Sequence, residues 1–137
     1  MGGLRLLWLE VTGRCQLKCH FCYAGSGLRG THGDMTVVDW RRIIDEAATI
    51  GTRDVTFIGG EPTLLPELPQ LVQHAAQQGM AVEVYSNLAR PISEDLWRIF
   101  ALPGVGLATS YHAADPATHD RITTRRGSHR MTRMNIV

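Results

Sequence analysis

The sequence predicts an α/β fold in which a parallel sheet is built from successive β/α units. Three observations predict it. Short β-branched and aromatic runs alternate with stretches whose apolar residues recur at i, i+3, i+4 and i+7. The connections are short and carry glycine, proline or helix-capping residues. The resulting order, β-loop-α-β-α-β-α-β, calls for right-handed crossovers with the helices packed on the outer face of the sheet.

Leu4 to Val11 is a mostly apolar run closed by a Thr12-Gly13 turn, the pattern of a strand that delivers the chain to a loop. Thr36 then reads as a helix cap with Asp39 completing a capping-box variant, and Trp40, Ile43, Ile44 and Ala47 form the apolar stripe up to Gly51. Val55 to Ile58 is a second strand, ended by Gly59-Gly60. A helix follows Pro66, with Leu68, Leu71, Val72 and Ala75 on one side and His74 facing solvent. Gly79 stops it before the strand Ala81 to Tyr85.

Ser93 caps a third helix. Glu94 and Asp95 occupy its first turn, where the helix dipole favours acids, and Leu96, Ile99 and Phe100 form its buried side. Val105 to Thr109 is the fourth strand. Beyond it the periodicity fades: residues 112–124 read as a loop, and Ser128 or Thr132 as the start of a last helix.

The composition is that of a globular chain of one domain's size, 137 residues with 44% hydrophobic content. No run of about 18 apolar residues is present, so a membrane span is not expected. The first residues lack the basic leader and small-residue cleavage site of a signal peptide. Fourteen basic against 13 acidic residues give a formal charge of +1, which points to no nucleic acid or other polyanionic partner. The charge is uneven, with Arg121, Arg125, Arg126, Arg130 and Arg133 in an acid-free end, read as a solvated arginine-rich loop and helix start.

The three cysteines, Cys15, Cys19 and Cys22, follow the first strand in the order CxxxCxxC. Three cysteines cannot all pair within one chain, and spacing this tight suits metal ligation in a reducing, cytoplasmic setting. Three thiolates can hold three corners of a cubic iron-sulfur cluster, whereas a four-iron cluster used for electron transfer normally takes four. One iron then keeps an open position, the property that separates working metal sites from structural ones. In sheets of this kind functional loops gather at the carboxyl ends of the strands, so residues 15–22, 59–63, Ser86-Asn87 and Ser110 are expected on one rim.

CxxxCxxC after a first strand, here Cys15-Gln-Leu-Lys-Cys19-His-Phe-Cys22, resembles the signature of the radical S-adenosylmethionine superfamily. Phe21 fills that family's aromatic position, Gly59-Gly60-Glu61-Pro62 matches its GGEP motif, and Ser86-Asn87 and Ser110 stand where relatives touch the cofactor. The stretches TGRCQLKCHFCYAGSG, FIGGEPTL and VEVYSNL look most like peptide-modifying maturases of the SPASM or twitch type. The resemblance implies a core domain over residues 1–137 with about four strands of a partial (β/α)6 TIM barrel, truncated after the fourth β/α unit.

It also implies a [4Fe-4S] cluster on Cys15, Cys19 and Cys22, whose open iron chelates S-adenosylmethionine, and reductive cleavage to a 5'-deoxyadenosyl radical that abstracts hydrogen from substrate. Phe21, Gly59, Gly60, Glu61, Pro62, Ser86, Asn87 and Ser110 are the implied cofactor-binding residues. The Gly59 to Pro62 backbone would meet the methionine amino group, Ser86 and Asn87 the ribose, and Ser110 the ribose or carboxylate. An arginine among Arg121, Arg125 and Arg126 is the implied carboxylate partner. A peptide or small-molecule substrate and an electron donor such as a flavodoxin or ferredoxin complete the expectation.

Two other readings stand beside it. A zinc site completed by His20 or His32 is the competing metal reading, against which stand the CxxxCxxC triplet, not a usual zinc-finger spacing, and the absence of a second CxxC pair. A catalytically inactive, cluster-binding or partner-binding remnant with an open sheet edge is the competing functional one. Tyr85, Trp97 and Tyr111 read as packing residues. His112, His119 and His129 read as substrate-facing or plain surface loop residues.

Overall fold

The computed structural model describes residues 3–137. Four strands, β1 (Leu6–Glu10), β2 (Asp54–Ile58), β3 (Ala81–Tyr85) and β4 (Val105–Ala108), form one parallel sheet in the order β1-β2-β3-β4. Its register pairs Leu9 with Phe57, Phe57 with Val84, and Val84 with Leu107. The helices α1 (Val37–Thr49), α2 (Leu68–Gln77) and α3 (Glu94–Phe100) connect successive strands. Since strands alternate faces with a period of two, one set of side chains must meet these helices. That set is Leu7 and Leu9, Val55 and Phe57, and Val82 and Val84, packed with Ile44, Leu68, Leu71, Val72, Leu96 and Phe100 in a single core.

Phe57, Ile44, Leu68 and Leu71 are completely buried, each such side chain stabilising the fold by about 1.5–3 kcal/mol. All three helices lie on one side of a sheet whose strands run in sequential order, the winding of a β/α barrel, here an open sheet of four strands among the described residues. The expected α/β class and partial barrel are therefore what the chain adopts. Strand ends differ from the sequence reading by one or two residues, β1 running from Leu6 and not Leu4, as the last apolar residues of a run need not pair. The opposite, inner face carries Leu6 and Trp8, exposed by 45% and 56%, with Glu10 and Glu83.

Local signals behave as their chemistry requires. Thr36 accepts from the Asp39 amide and Asp39 from the Thr36 amide, a full capping box. Ser93 caps α3 through the Leu96 amide. Gly51 and Gly79 follow α1 and α2 in left-handed conformations, φ 86° and 79°.

Three expectations are corrected. Residues 112–124 are not a loop throughout: α4 (Pro116–Thr123) lies within them, with Asp115 accepting from the Thr118 amide at 2.8 Å and Pro116 at the first turn. Its weak apolar stripe hid it, for the side chains it buries are His119 and Thr123. His74 does not face solvent. It is buried on α2 with Nε2 2.6 Å from Asp45 Oδ1 of α1, because a polar ring can be covered once it has a partner.

The last helix, α5 (Ser128–Ile136), starts at Ser128 as expected, but its cap comes from the preceding helix. Asp120 accepts from the Gly127 amide at 2.6 Å, the His129 amide at 2.9 Å and the Ser128 hydroxyl at 3.0 Å. These contacts close α4 and α5 into a hairpin. Inside it, His119 and His129 are buried, so neither is a loop residue of the surface. Tyr111 packs against both rings and shares a 2.6 Å hydrogen bond with His129 Nε2, while His112 is exposed.

Candidate functional site

The carboxyl ends of β1 and β2 are laced together by backbone contacts that leave no room for side chains. Gly60 donates its amide proton to Thr12 O at 2.7 Å, and Glu61 donates to Arg14 O at 2.8 Å. A Cβ on Gly59 would stand 2.3 Å from Thr12 O, and one on Gly60 would stand 2.2 Å from Arg14 O. The two glycines are needed for the approach of the β2 loop to the cysteine loop, whatever else the rim holds.

Glu61 is the buried centre of the rim. Its Oε1 accepts from the Thr63 amide at 3.1 Å, the Thr63 hydroxyl at 2.7 Å and the Ser86 hydroxyl at 2.7 Å, while Oε2 accepts from the Asn87 amide at 2.8 Å. Burial without these donors would be costly, and with them the carboxylate ties the β2 loop to the β3 loop. Pro62 opens the short 3-10 turn that follows. Arg90 donates to Thr63 O at 2.7 Å and extends the lacing.

Asn87 joins the third strand end to the cysteines. Its Oδ1 accepts from Gln16 Nε2 at 2.8 Å and from the Ala89 amide at 2.9 Å; its Nδ2 donates to Gln16 Oε1 at 3.4 Å and to Cys15 Sγ at 3.6 Å. The Leu17 amide also donates to Cys15 Sγ, at 3.4 Å. Cys15 is buried with Leu17 and Ala89, Cys19 packs beside them, and Cys22 is exposed. Burial pushes the Cys15 thiol up to about 11, against the Leu17 hydrogen bond and with smaller upward effects of Glu61, Cys19 and Cys22. Cys19 is raised too, first by burial and then by Cys22.

The three thiols therefore lie on one loop, graded from buried to exposed, as free cysteines. Among the described residues no three His, Cys, Asp or Glu side chains converge as one ion would require. Ligands of a cubane each take a different iron and need no common point, so the donor set, three soft thiols with two N–H groups already aimed at Cys15 Sγ, fits an iron-sulfur group. His32 Nδ1 lies 2.8 Å from the Thr12 hydroxyl, and His20 is exposed with its amide on Ile122 O.

The rim thus brings together Cys15, Gly59, Gly60, Glu61, Pro62, Ser86 and Asn87. Ser110 stands apart from this lacing, its hydroxyl 2.9 Å from Tyr85 OH, and Phe21 projects 82% exposed. Residues missed by the sequence reading are Gln16 and the α4–α5 hairpin. The latter clamps the loop through Lys18 N to Thr123 O at 3.3 Å, His20 N to Ile122 O at 3.0 Å and Arg125 Nη1 to Gln16 O at 3.2 Å. Thr132 donates to Asn87 O at 3.0 Å, and Asn135 donates to Leu88 O and Arg90 O, both at 2.8 Å. No periodic pattern announces such polar docking. A cavity of about 670 Å³ beside the cysteine loop is lined by Gln16, Lys18, Arg29 and Arg125 but by none of the cysteines or the GGEP residues.

No helix among the described residues is long and apolar enough to cross a membrane. The chain is 35% identical over 127 residues to the PqqA peptide cyclase of Rhodopseudomonas palustris, and 36% identical over 127 residues to that of Xanthomonas oryzae pv. oryzae. Each match covers 88% of this chain and 32% of the relative, so the chain spans about a third of the length of the curated relatives it matches. In fold it is similar to Streptococcus suis SuiB bound to the precursor peptide SuiA, with TM-score 0.83 and 21% identity over 95% of this chain and 29% of that one. It is similar also to anSMEcpe with bound AdoMet, with TM-score 0.71 and 18% identity over 98% of this chain and 42% of that one. The Radical SAM superfamily matches residues 9–136, a span that takes in the cysteine loop, the GGEP turn and every element from α1 onward, and the chain belongs to that superfamily.

Proposed function

We propose that residues 1–137 form the first four β/α units of a radical SAM core that holds a [4Fe-4S] cluster on Cys15, Cys19 and Cys22 and acts on a peptide. The observation that carries this reading is the lacing of the cysteine loop to the GGEP turn, by Gly60 N to Thr12 O and Glu61 N to Arg14 O. The cluster and S-adenosylmethionine would together supply reductive cleavage to a 5'-deoxyadenosyl radical able to abstract hydrogen from the substrate. The chain's own part is to bind and orient. The backbone of Gly59 to Pro62 would meet the methionine amino group, the Ser86-Asn87 segment, whose side chains are already engaged by Glu61, Gln16 and Cys15, would flank the ribose, Ser110 would meet the ribose or carboxylate, and Phe21 would line the cofactor site.

A peptide substrate is the class that the similar PqqA peptide cyclases and SuiB, bound to its precursor peptide, support. An electron donor such as a flavodoxin or ferredoxin would supply the reducing electron, in a cytoplasmic setting. The test is anaerobic reconstitution, iron and sulfide counting, and release of 5'-deoxyadenosine from S-adenosylmethionine with dithionite. Cys15→Ala, Cys19→Ala and Cys22→Ala should each lose the cluster, and a variant that keeps a full cluster contradicts its ligand assignment.

A second reading is favoured by the open β4 edge and the uncovered Trp8 on the inner face. On that reading the chain binds iron, or a partner along the edge, without turnover. Cluster assembly with no 5'-deoxyadenosine would decide for it.

A further inference from the structure

Asn87 has the hydrogen-bonding capacity of a primary amide, two donors on nitrogen and two acceptor positions on oxygen. All four are taken by this chain. Oxygen receives Gln16 Nε2 and the Ala89 amide, while nitrogen serves Gln16 Oε1 and Cys15 Sγ. The residue is pinned through its backbone as well, its N–H on Glu61 Oε2 and its carbonyl on the Thr132 hydroxyl. An amide held at six points has little freedom to turn. Its Nδ2 is held toward the sulfur that the proposed function assigns to the cluster.

We infer that Asn87, oriented by Gln16, is a positioning residue for the cluster, whose side-chain N–H raises the reduction potential by hydrogen bonding to the Cys15 sulfur. The inference rests on the cluster assignment made above. A hydrogen bond to a ligating sulfur stabilises the extra negative charge of the reduced cluster more than it stabilises the oxidised one, so donors raise the potential. Cys15 has two, the Leu17 amide and Asn87 Nδ2. Only the second belongs to a side chain and can be removed by substitution. Gln16 acts at one remove, since its own amide faces the Asn87 amide with donor to acceptor at both ends.

The experiment is a potentiometric titration of the reconstituted [4Fe-4S] protein, followed by the electron paramagnetic resonance signal of the reduced cluster. Asn87→Ala should make reduction about tenfold less favourable, a midpoint lower by about 59 mV for one electron. Gln16→Met should move the midpoint the same way by less, because the donor is still present but no longer oriented. Thr132→Ala loosens the same loop through the Asn87 carbonyl and leaves the sulfur donors in place, so its midpoint should equal that of the unaltered chain.

An unchanged midpoint in Asn87→Ala with a full iron count overturns the inference and leaves the cluster assignment standing. Should Asn87→Ala fail to fold or to load, Gln16→Met decides, and an unchanged midpoint there overturns it equally. An equal drop in Thr132→Ala would assign the effect to loop packing and overturn it as well. An unaltered chain that takes up no four-iron cluster removes the proposed function, and this inference with it.

Discussion

Ser86 gives its hydroxyl proton to Glu61 Oε1 across 2.7 Å, and solvent reaches neither side chain. The pair joins the ends of β2 and β3, and the Asn87 amide completes the link at Glu61 Oε2. Glu61→Gln keeps the shape but must set an NH2 group against one of these donors, leaving buried hydrogens unpaired. We expect a loss of about 1–3 kcal/mol, read as a lower urea midpoint at unchanged m-value. An unshifted midpoint would show that the carboxylate is not the tie.

Gly60→Ala should be among the most damaging single changes in the chain. The added Cβ meets Arg14 O at 2.2 Å and Arg14 C at 2.6 Å, and backbone cannot swing aside as a side chain can. A destabilisation of about 2–4 kcal/mol is expected from strain of this kind. Gly27→Ala is the control in the neighbouring loop, where nothing lies within 4 Å, and should stay within about 0.5 kcal/mol. Comparable melting temperatures for the two variants would contradict the close-approach account.

The hairpin of α4 and α5 should loosen in mild acid. Burial, then the nearby His112 and His129, hold the His119 imidazole below its ordinary value of 6.5, with Asp120 opposing weakly. Unfolded chain then binds the proton more readily than folded chain, so stability present above pH 6.5 is lost as pH falls through 6.5 toward the depressed folded value. His119→Phe should flatten the stability profile in that window. Asp120, whose carboxyl is held below 3.8 first by the His129 amide, contributes stability present above 3.8 and lost only in stronger acid, so the two steps are separable by pH.

Asn135→Ala removes both donors to the β3–α3 loop, Nδ2 to Leu88 O and to Arg90 O. Leu88 sits there with φ 52°, a left-handed conformation that a branched residue takes only when its surroundings impose it. We expect a cost of about 1–2 kcal/mol and faster hydrogen exchange at residues 86–90, with α1 and α2 unaffected. Exchange unchanged at those residues would mean that α5 does not hold the loop.

The elements legible in the sequence were those whose signal is local. β2 and β3 were marked by β-branched and aromatic residues beside glycine, α1 by its Thr36 and Asp39 capping box, and the cysteines by their spacing alone. α4 was misread because its buried side is made of His119 and Thr123, which an apolar pattern cannot register, although Asp115-Pro116 carried a cap signal. His74 was misplaced for a related reason: the partner that permits its burial, Asp45, lies on another helix.

By itself, then, the sequence determined a parallel α/β sheet, the rim on which its loops meet, and the family to which the three cysteines and the GGEP turn belong. Tertiary structure alone decided that Glu61 is buried among donors from its own turn and from the β3 loop, and that the Gly59-Gly60 pair is needed against the Thr12 and Arg14 carbonyls. It also decided that Asn87 and Gln16, 71 residues apart, pair over the Cys15 sulfur. The physical reason is range. Capping, turn and periodic signals act within a few residues and are written in order along the chain. Hydrogen bonds between polar side chains depend on which strand ends the sheet sets side by side, and that exists only after the core has packed.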